Sequence, residues 1–326
     1  SRCKLPARCC CAMIHLEPGH RIVAETVAAR IHSDADKREA VDVRCADFGA
    51  QYYVSVLPDE RHILRVSLSL GCFDEIKEAV GDSFFQETYP GMVENPPQQG
   101  FKLTLAINLD NTPADAEGKD ALVRKLASVK RDVTAAPLWI CFKALLDGGR
   151  VPRPHYVVHY RHDETMWVIP SPSPNEPVVV IFSISFENQV EQAIARTFLQ
   201  EIEISRKQSR DLATAPNVTF TSEPPHELKN LRGVDVTPGK DFIGYVSLAV
   251  SKRIVEGGRL EKAVTLVEGY RAYLVYHIKA TKSQLHTRIR SRSSSWLQVL
   301  NRAMPEKLNT EKKTITGRTF KRLPAS

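Results

Sequence analysis

The stretch from Arg259 to Ala303 constrains the chain most. No proline interrupts it, and large apolar residues recur at steps of three and four: Val267, Tyr270, Leu274, Ile278, Leu285, Ile289, Trp296 and Leu300. That spacing predicts one long helix with a single apolar stripe. With Thr281 and Arg292 as weak positions, the series runs in steps of 3-4-4, close to the natural helical period, so the helix should run nearly straight. At about 1.5 Å per residue such a helix spans roughly 65 Å, whereas a domain of about 130 residues has a radius of gyration near 14 Å. One domain of that size cannot cover the whole stripe. Either a second domain of this chain or another protein must lie against it.

The charge is as uneven as the helix is long. The 326 residues carry a formal charge of +7, yet 15 of the 45 Lys and Arg lie from Arg259 onward against four of the 38 acids, leaving that part +11 and the rest −4. A basic surface of this density suits an acidic partner: nucleic acid, anionic lipid or an acidic protein such as an actin filament. At this length two domains are the default. The longest uncharged apolar run, Val178 to Phe186, is too short to cross a bilayer and suits a buried strand. Four of the seven cysteines crowd the start (Cys3, Cys9, Cys10, Cys11), and Cys45, Cys72 and Cys141 are scattered in apolar contexts. No pair has zinc-ligand spacing, so reduced thiols and a cytoplasmic protein without disulfides are expected.

Periodicity orders the remainder. A helix is expected at His20–Ile31, strands at Ala40–Phe48, Gln51–Leu57 and Ile63–Leu70, a helix at Phe73–Val80, a strand at Phe101–Leu109 and mainly helix over Gly118–Leu146, broken near Pro137. The order then returns, with strands at His155–Tyr160, Thr165–Ile169 and Pro177–Phe186, a helix at Val190–Ile204, strands at Asn217–Thr221 and Phe242–Val250, and the long helix. Successive strands without crossovers point to an α+β fold: two similar α/β-sandwich domains, mostly antiparallel sheet with helices on one face, and a long C-terminal helix. The expected boundaries are a disordered leader or artefact at 1–12, domains at 13–150 and 151–258, the helix at 259–303 and a basic tail at 304–326.

No constellation for chemistry stands out. Thr316-Gly317-Arg318-Thr319 lacks the lysine and upstream glycine of a phosphate loop. His155 and His159 would sit about 13 Å apart on a strand, too far to share a metal, so with His162, Asp163 and Glu164 they suit the polar side of a hairpin. Glu201 with Glu203, and Asp34 with Asp36, have no nucleophile or histidine partner and suit solvated faces. No cofactor or catalytic residue is assigned. Gly269 costs the long helix about 1 kcal/mol relative to alanine, which a close crossing by another helix would justify. The aromatics Tyr270, Tyr273, Tyr276 and Trp296 are of the type that dominates interfaces.

Several runs carry a family likeness. YLVYHIK at 273–279, HTRIR at 286–290, VLNRA at 299–303 and KTITGRTF at 313–320 closely resemble the C-terminal part of subunit 2 of the actin-related protein 2/3 (Arp2/3) complex. HYRHDETM at 159–166, PPHELK at 224–229 and IGY at 243–245 resemble the same family in the same order. Residues 1–12 and the proline-rich loop Ser171–Pro177 depart from it. The resemblance implies a non-catalytic scaffold whose long helix pairs with the corresponding helix of subunit 4. It also implies contact with the side of an existing actin filament through basic residues, during branched nucleation by a complex whose nucleotides belong to the actin-related subunits. The helix-pairing positions would be Val267, Tyr270, Leu274, Ile278, Leu285, Ile289, Trp296 and Leu300. The filament-facing ones would be Arg288, Arg290, Arg292, Arg302, Lys312, Lys313, Arg318 and Lys321. A basic nucleic-acid-binding protein is the alternative, although no RNA- or DNA-binding signature is present.

Overall fold

Alternating apolar residues build two antiparallel sheets in this computed structural model, which describes residues 17–47, 49–173, 175–209, 212, 215–231, 239–303, and the backbone of 311–313 and 319–321. By contacts the chain forms two units, one ending at Tyr276 and the other beginning at His277.

The first unit opens with α1 (Arg21–Ile31), started by the His20 ring, whose Nδ1 accepts from the Val23 amide; Val23, Val27 and Ile31 are its buried stripe. Four strands follow in the spatial order β1 (Val41–Asp47), β2 (Ala50–Val56), β3 (Ile63–Leu70) and β4 (Leu103–Asn108), all antiparallel. Their register places Val43, Val54, Val66 and Leu105 in one row across the sheet, and Arg44, Tyr53, Ser67 and Thr104 in the next, on the other face. The polar row is closed by the loop before β4. Ser67 donates to Gln98 (2.6 Å), Gln98 donates to Ser55 (3.1 Å), and Phe101 stacks on Tyr53 (5.6 Å).

Helices α2 (Phe73–Val80) and α3 (Asp82–Thr88) join β3 to β4. The segment after β4 forms three helices, α4 (Ala116–Ala127), α5 (Val129–Thr134) and α6 (Ala136–Asp147), with junctions at Ser128 and Ala135 and Pro137 inside the first turn of α6. The sequence APLWICFKALLD of α6 is apolar around most of its circumference because the helix touches α2 and α5 as well as the second sheet.

That sheet has five strands: β5 (Tyr156–Arg161), β6 (Glu164–Ile169), β7 (Val178–Ser185), β8 (Asn217–Thr221) and β9 (Phe242–Val250), with α7 (Gln189–Gln208) between β7 and β8. Their spatial order is β5-β6-β7-β9-β8, again antiparallel throughout. The last strand in sequence therefore lies inside and β8 forms the edge. The short helix α8 (His226–Lys229) brings Leu228 onto one face, against Trp167, Ile181 and Tyr245. On the other face Val168, Val180 and Leu248 share a row, and α6 lies against β6 and β7.

The fold is thus α+β with two antiparallel sheets and a long final helix. Helices α9 (Lys252–Val255) and α10 (Leu260–Glu268) precede α11 (Tyr270–Ala303). The expected single helix is interrupted in name only: Gly269 keeps right-handed helical angles and its carbonyl still accepts from the Tyr273 amide at 3.0 Å. Among the described residues of this chain no helix crosses closely at Gly269, where an added Cβ would meet the Thr265 carbonyl at 3.1 Å. In the second unit, β10 (Glu311–Lys313) and β11 (Thr319–Lys321) pair as a small antiparallel hairpin that periodicity did not mark.

Candidate partner interface on the last helix

The eight stripe residues fall into two groups. Val267, Leu274 and Ile278 are buried, and Tyr270 is largely so. The reason is visible in the first unit, where Tyr270 lies 5.7 Å from the Phe182 ring of β7. Beside it Arg271 reaches Glu164 of β6 with Nε at 2.7 Å and again with an Nη, gives a further hydrogen bond to the Ser185 carbonyl (2.9 Å) and lies over the Phe186 ring. Its partner Glu164 also accepts from the Ser185 amide (3.0 Å). A guanidinium and a carboxylate buried together in this way lock the first turn of α11 to the second sheet.

Helix α10 is held to α5 by a second polar set. Arg131 donates to Asp132 (2.6 and 2.8 Å), to Glu261 (3.2 Å) and to Thr265 (3.1 Å), while the Tyr89 hydroxyl donates to Asp132 (2.6 Å). Thr134 donates to Glu268 at 2.8 Å. Burial pushes both the Glu268 and the Asp132 carboxyls above their usual range, despite these donors and the neighbouring guanidinium. The residues lie about as far apart in sequence as two domains, so no local pattern announces them.

The other stripe residues are exposed: Leu285 by 42%, Ile289 by 53%, Trp296 by 67% and Leu300 by 54%. At about 100° per residue these four fall within an arc of about 60°. Leu297 and Val299, which the stripe omitted, are exposed as well and widen it on either side. The doublets Trp296-Leu297 and Val299-Leu300 were the available signal. Every residue from Ser283 to Ala303 is exposed, which makes this uncovered apolar run the candidate interaction surface.

The basic candidates do not share one face. Arg292 falls inside the apolar arc, Arg288 flanks it on one side, and Arg290 and Arg302 lie farther round, with roughly 120° between them. All four are exposed. Lys312, Lys313 and Lys321 sit in β10 and β11, where only backbone is described, and Arg318 lies outside the described residues, as do residues 1–12.

Several of the residues weighed for chemistry have structural partners. His159 bonds Glu75 of α2 through both its amide (3.0 Å) and its ring (2.7 Å), and His162 meets Asp163 at 2.8 Å. Glu203 accepts from Lys207 (2.7 Å), which holds its carboxyl below the usual range, and Asp34 pairs with Lys37. Among the described residues no cluster of three His, Cys, Asp or Glu could hold a metal ion, and no helix is long and apolar enough to cross a membrane. A cleft of about 1210 Å³ between α1, α3, α4, α6 and α10 is lined by residues such as Phe84, Trp139, Arg124 and Lys143, with neither His nor Cys.

Comparison with known proteins agrees with this arrangement. The family described as "Arp2/3 complex, 34 kD subunit p34-Arc" matches residues 66–307. The actin-related protein 2/3 complex subunit 2 of Dictyostelium discoideum is 32% identical over 311 residues, covering 95% of this chain and 99% of the relative. The protein of the same name from Schizosaccharomyces pombe is 29% identical over 328 residues, covering 95% of this chain and 100% of its own length. With likeness reaching from end to end of both relatives, and the family match running from within β3 through the second sheet and the long helix, the chain belongs to the p34-Arc family.

Proposed function

We propose that this chain is a non-catalytic core subunit of an Arp2/3 complex in the cytoplasmic actin cytoskeleton. Its last helix pairs with the corresponding helix of subunit 4, joining it to the other subunits, including the actin-related proteins. Its basic residues meet the acidic side of the mother actin filament during branched nucleation. The observation that carries the pairing is the uncovered seam Leu285, Ile289, Trp296, Leu300 on a helix whose beginning is already held inside the chain. That division reassigns the seam. Val267, Tyr270, Leu274 and Ile278 support this chain's own fold, and the four exposed residues with Leu297 and Val299 face the partner. The domain limits at 150 and 258 are proposed as the boundaries of the two sheet-centred halves. Arg288, Arg290, Arg292 and Arg302, together with Lys312, Lys313, Arg318 and Lys321, are proposed for the filament.

The test is co-expression with a subunit 4 homologue. Ile289→Asp with Trp296→Asp is expected to abolish co-purification while the thermal unfolding of the chain alone shifts by no more than about 4 °C, since each exposed substitution changes stability by only about 0.5 kcal/mol. Pairing at the wild-type level would refute the seam. Charge reversal at Arg302 and Lys313 is expected to lower filament co-sedimentation and leave assembly intact.

A further inference from the structure

The residues between Arg288 and Trp296 do more than decorate the seam. They read Arg288-Ile-Arg290-Ser291-Arg292-Ser293-Ser294-Ser295-Trp296, so Ser293 has arginines three and five positions ahead of it. It is exposed, and with Arg288, Ile289, Arg292, Trp296 and Leu297 it lines a shallow notch of about 510 Å³ on the helix surface. Ser293 is thus a hydroxyl set among the apolar side chains that the seam presents. Ser291 and Ser294 lie on the opposite side of the helix, at roughly 100° per residue.

We infer that Ser293 is a phosphorylation site for an arginine-directed serine kinase, and that its modification blocks pairing of the seam. The inference rests on the seam being a helix-pairing surface. The kinase side of the argument is charge and accessibility. Arg288 and Arg290 offer two guanidinium groups to the acidic peptide cleft of such an enzyme, and no carboxylate occurs between Gly269 and Pro305 to oppose them. A kinase cleft takes its substrate extended, and this is where the helix opens at least expense. Four serines in five residues are weak helix formers. Ser295 back-bonds the Ser291 carbonyl (3.1 Å), as Thr287 does Ser283 (3.0 Å), a pattern that loosens a helix. No residue from Ser283 to Ala303 is covered.

In the reaction the Ser293 Oγ attacks the γ-phosphorus of a nucleoside triphosphate. The new O–P bond forms as the bond to the β,γ-bridging oxygen breaks, the nucleoside diphosphate leaves with that electron pair, and the hydroxyl proton passes to the kinase carboxylate. The product carries nearly two negative charges beside Ile289, Trp296 and Leu297, where a partner helix would have to desolvate them. Pairing in turn covers the hydroxyl, so modification and assembly exclude each other.

The full chain, free and already paired with a subunit 4 homologue, is incubated with ATP and protein kinase B, and phosphate is mapped by mass spectrometry. Phosphate is expected on Ser293 of the free chain, and at least tenfold less of it in the pair. The phosphorylated chain and Ser293→Asp should each lose pairing at least tenfold, whereas Ser293→Ala pairs normally after the same treatment. Ser295, which has the same arginine spacing but flanks the seam, serves as control: Ser295→Asp should pair within about twofold. No phosphate on Ser293 of the free chain, or unchanged pairing of the phosphorylated chain, overturns the proposal. Failure of the unmodified chain to pair overturns the seam itself, and the mapping on free chain reports separately on the kinase.

Discussion

Replacing Glu164 by leucine removes the one carboxylate that Arg271 reaches among the described residues, and the structure sets what that costs. The two side chains are 3% and 7% exposed, and Glu164 takes two hydrogen bonds from the guanidinium. After the substitution Arg271 keeps the Ser185 carbonyl, the face of Phe186 and the neighbouring Tyr160 among the described residues, none of them a carboxylate. A buried charge stripped of its partner destabilises by about 3–5 kcal/mol. At about 2–4 °C per kcal/mol for a unit of this size, the unfolding midpoint should fall by about 6–20 °C. Arg271→Met should be milder. It leaves Glu164 with the Ser185 amide at 3.0 Å and Arg161 at 3.8 Å, and Arg161 is exposed enough to move closer. The double variant Glu164→Leu with Arg271→Met should recover to within about 1–2 kcal/mol of wild type, because a buried ion pair replaced by apolar side chains of similar size loses its desolvation penalty along with its attraction. Calorimetric and urea unfolding of the full chain measure all three, and hydrogen exchange at Tyr270–Leu274 reports whether the first turn of α11 has come loose. A double variant as unstable as the sum of the two singles would refute the electrostatic account and leave packing as the cause.

Three further outcomes follow from buried groups. Burial raises the Glu268 carboxyl above its ordinary 4.5, so the folded chain binds more protons than the unfolded one from about that pH upward to the folded value; stability falls across this window and the penalty remains at neutral pH. Glu268→Gln, which can still accept from Thr134, should therefore unfold at a higher temperature than wild type at pH 7, with the gap closing toward pH 4.5; a pH-independent gap would refute this. A Cβ at Gly244 would lie 2.4 Å from the Phe220 ring and 2.7 Å from the Thr221 carbonyl, so Gly244→Ala should cost about 1–3 kcal/mol and loosen the edge strand β8, read from urea midpoints. Burial pushes the Cys72 and Cys141 thiols up to about 11 and about 12, so iodoacetamide at pH 8 should label their peptides only after unfolding, and labelling of the native chain would contradict their placement.

Much of the fold could be read from local pattern. Strands β3, β8 and β9 and helix α2 have the bounds that alternation and helical spacing give, because those periods are written in adjacent residues. Short helices escaped in part. α3 begins directly after Gly81, which takes a positive φ, and so was absorbed into a loop, and the junction at Ser128 has no glycine or proline on it, whereas the break expected near Pro137 falls at Ala135. The strand order was not legible either, since nothing in β8 or β9 alone says which one pairs with β7.

The sequence by itself determined that a long basic helix would carry one apolar stripe, because period and charge are properties of neighbours along the chain. Only the tertiary structure decided where the stripe stops being core and starts being surface. That depends on contacts such as Tyr270 with Phe182, Arg271 with Glu164 and Thr134 with Glu268, which join residues some ninety to a hundred and thirty positions apart. An apolar side chain specifies that it must be covered; which surface covers it is fixed by the geometry of everything else that has folded around it.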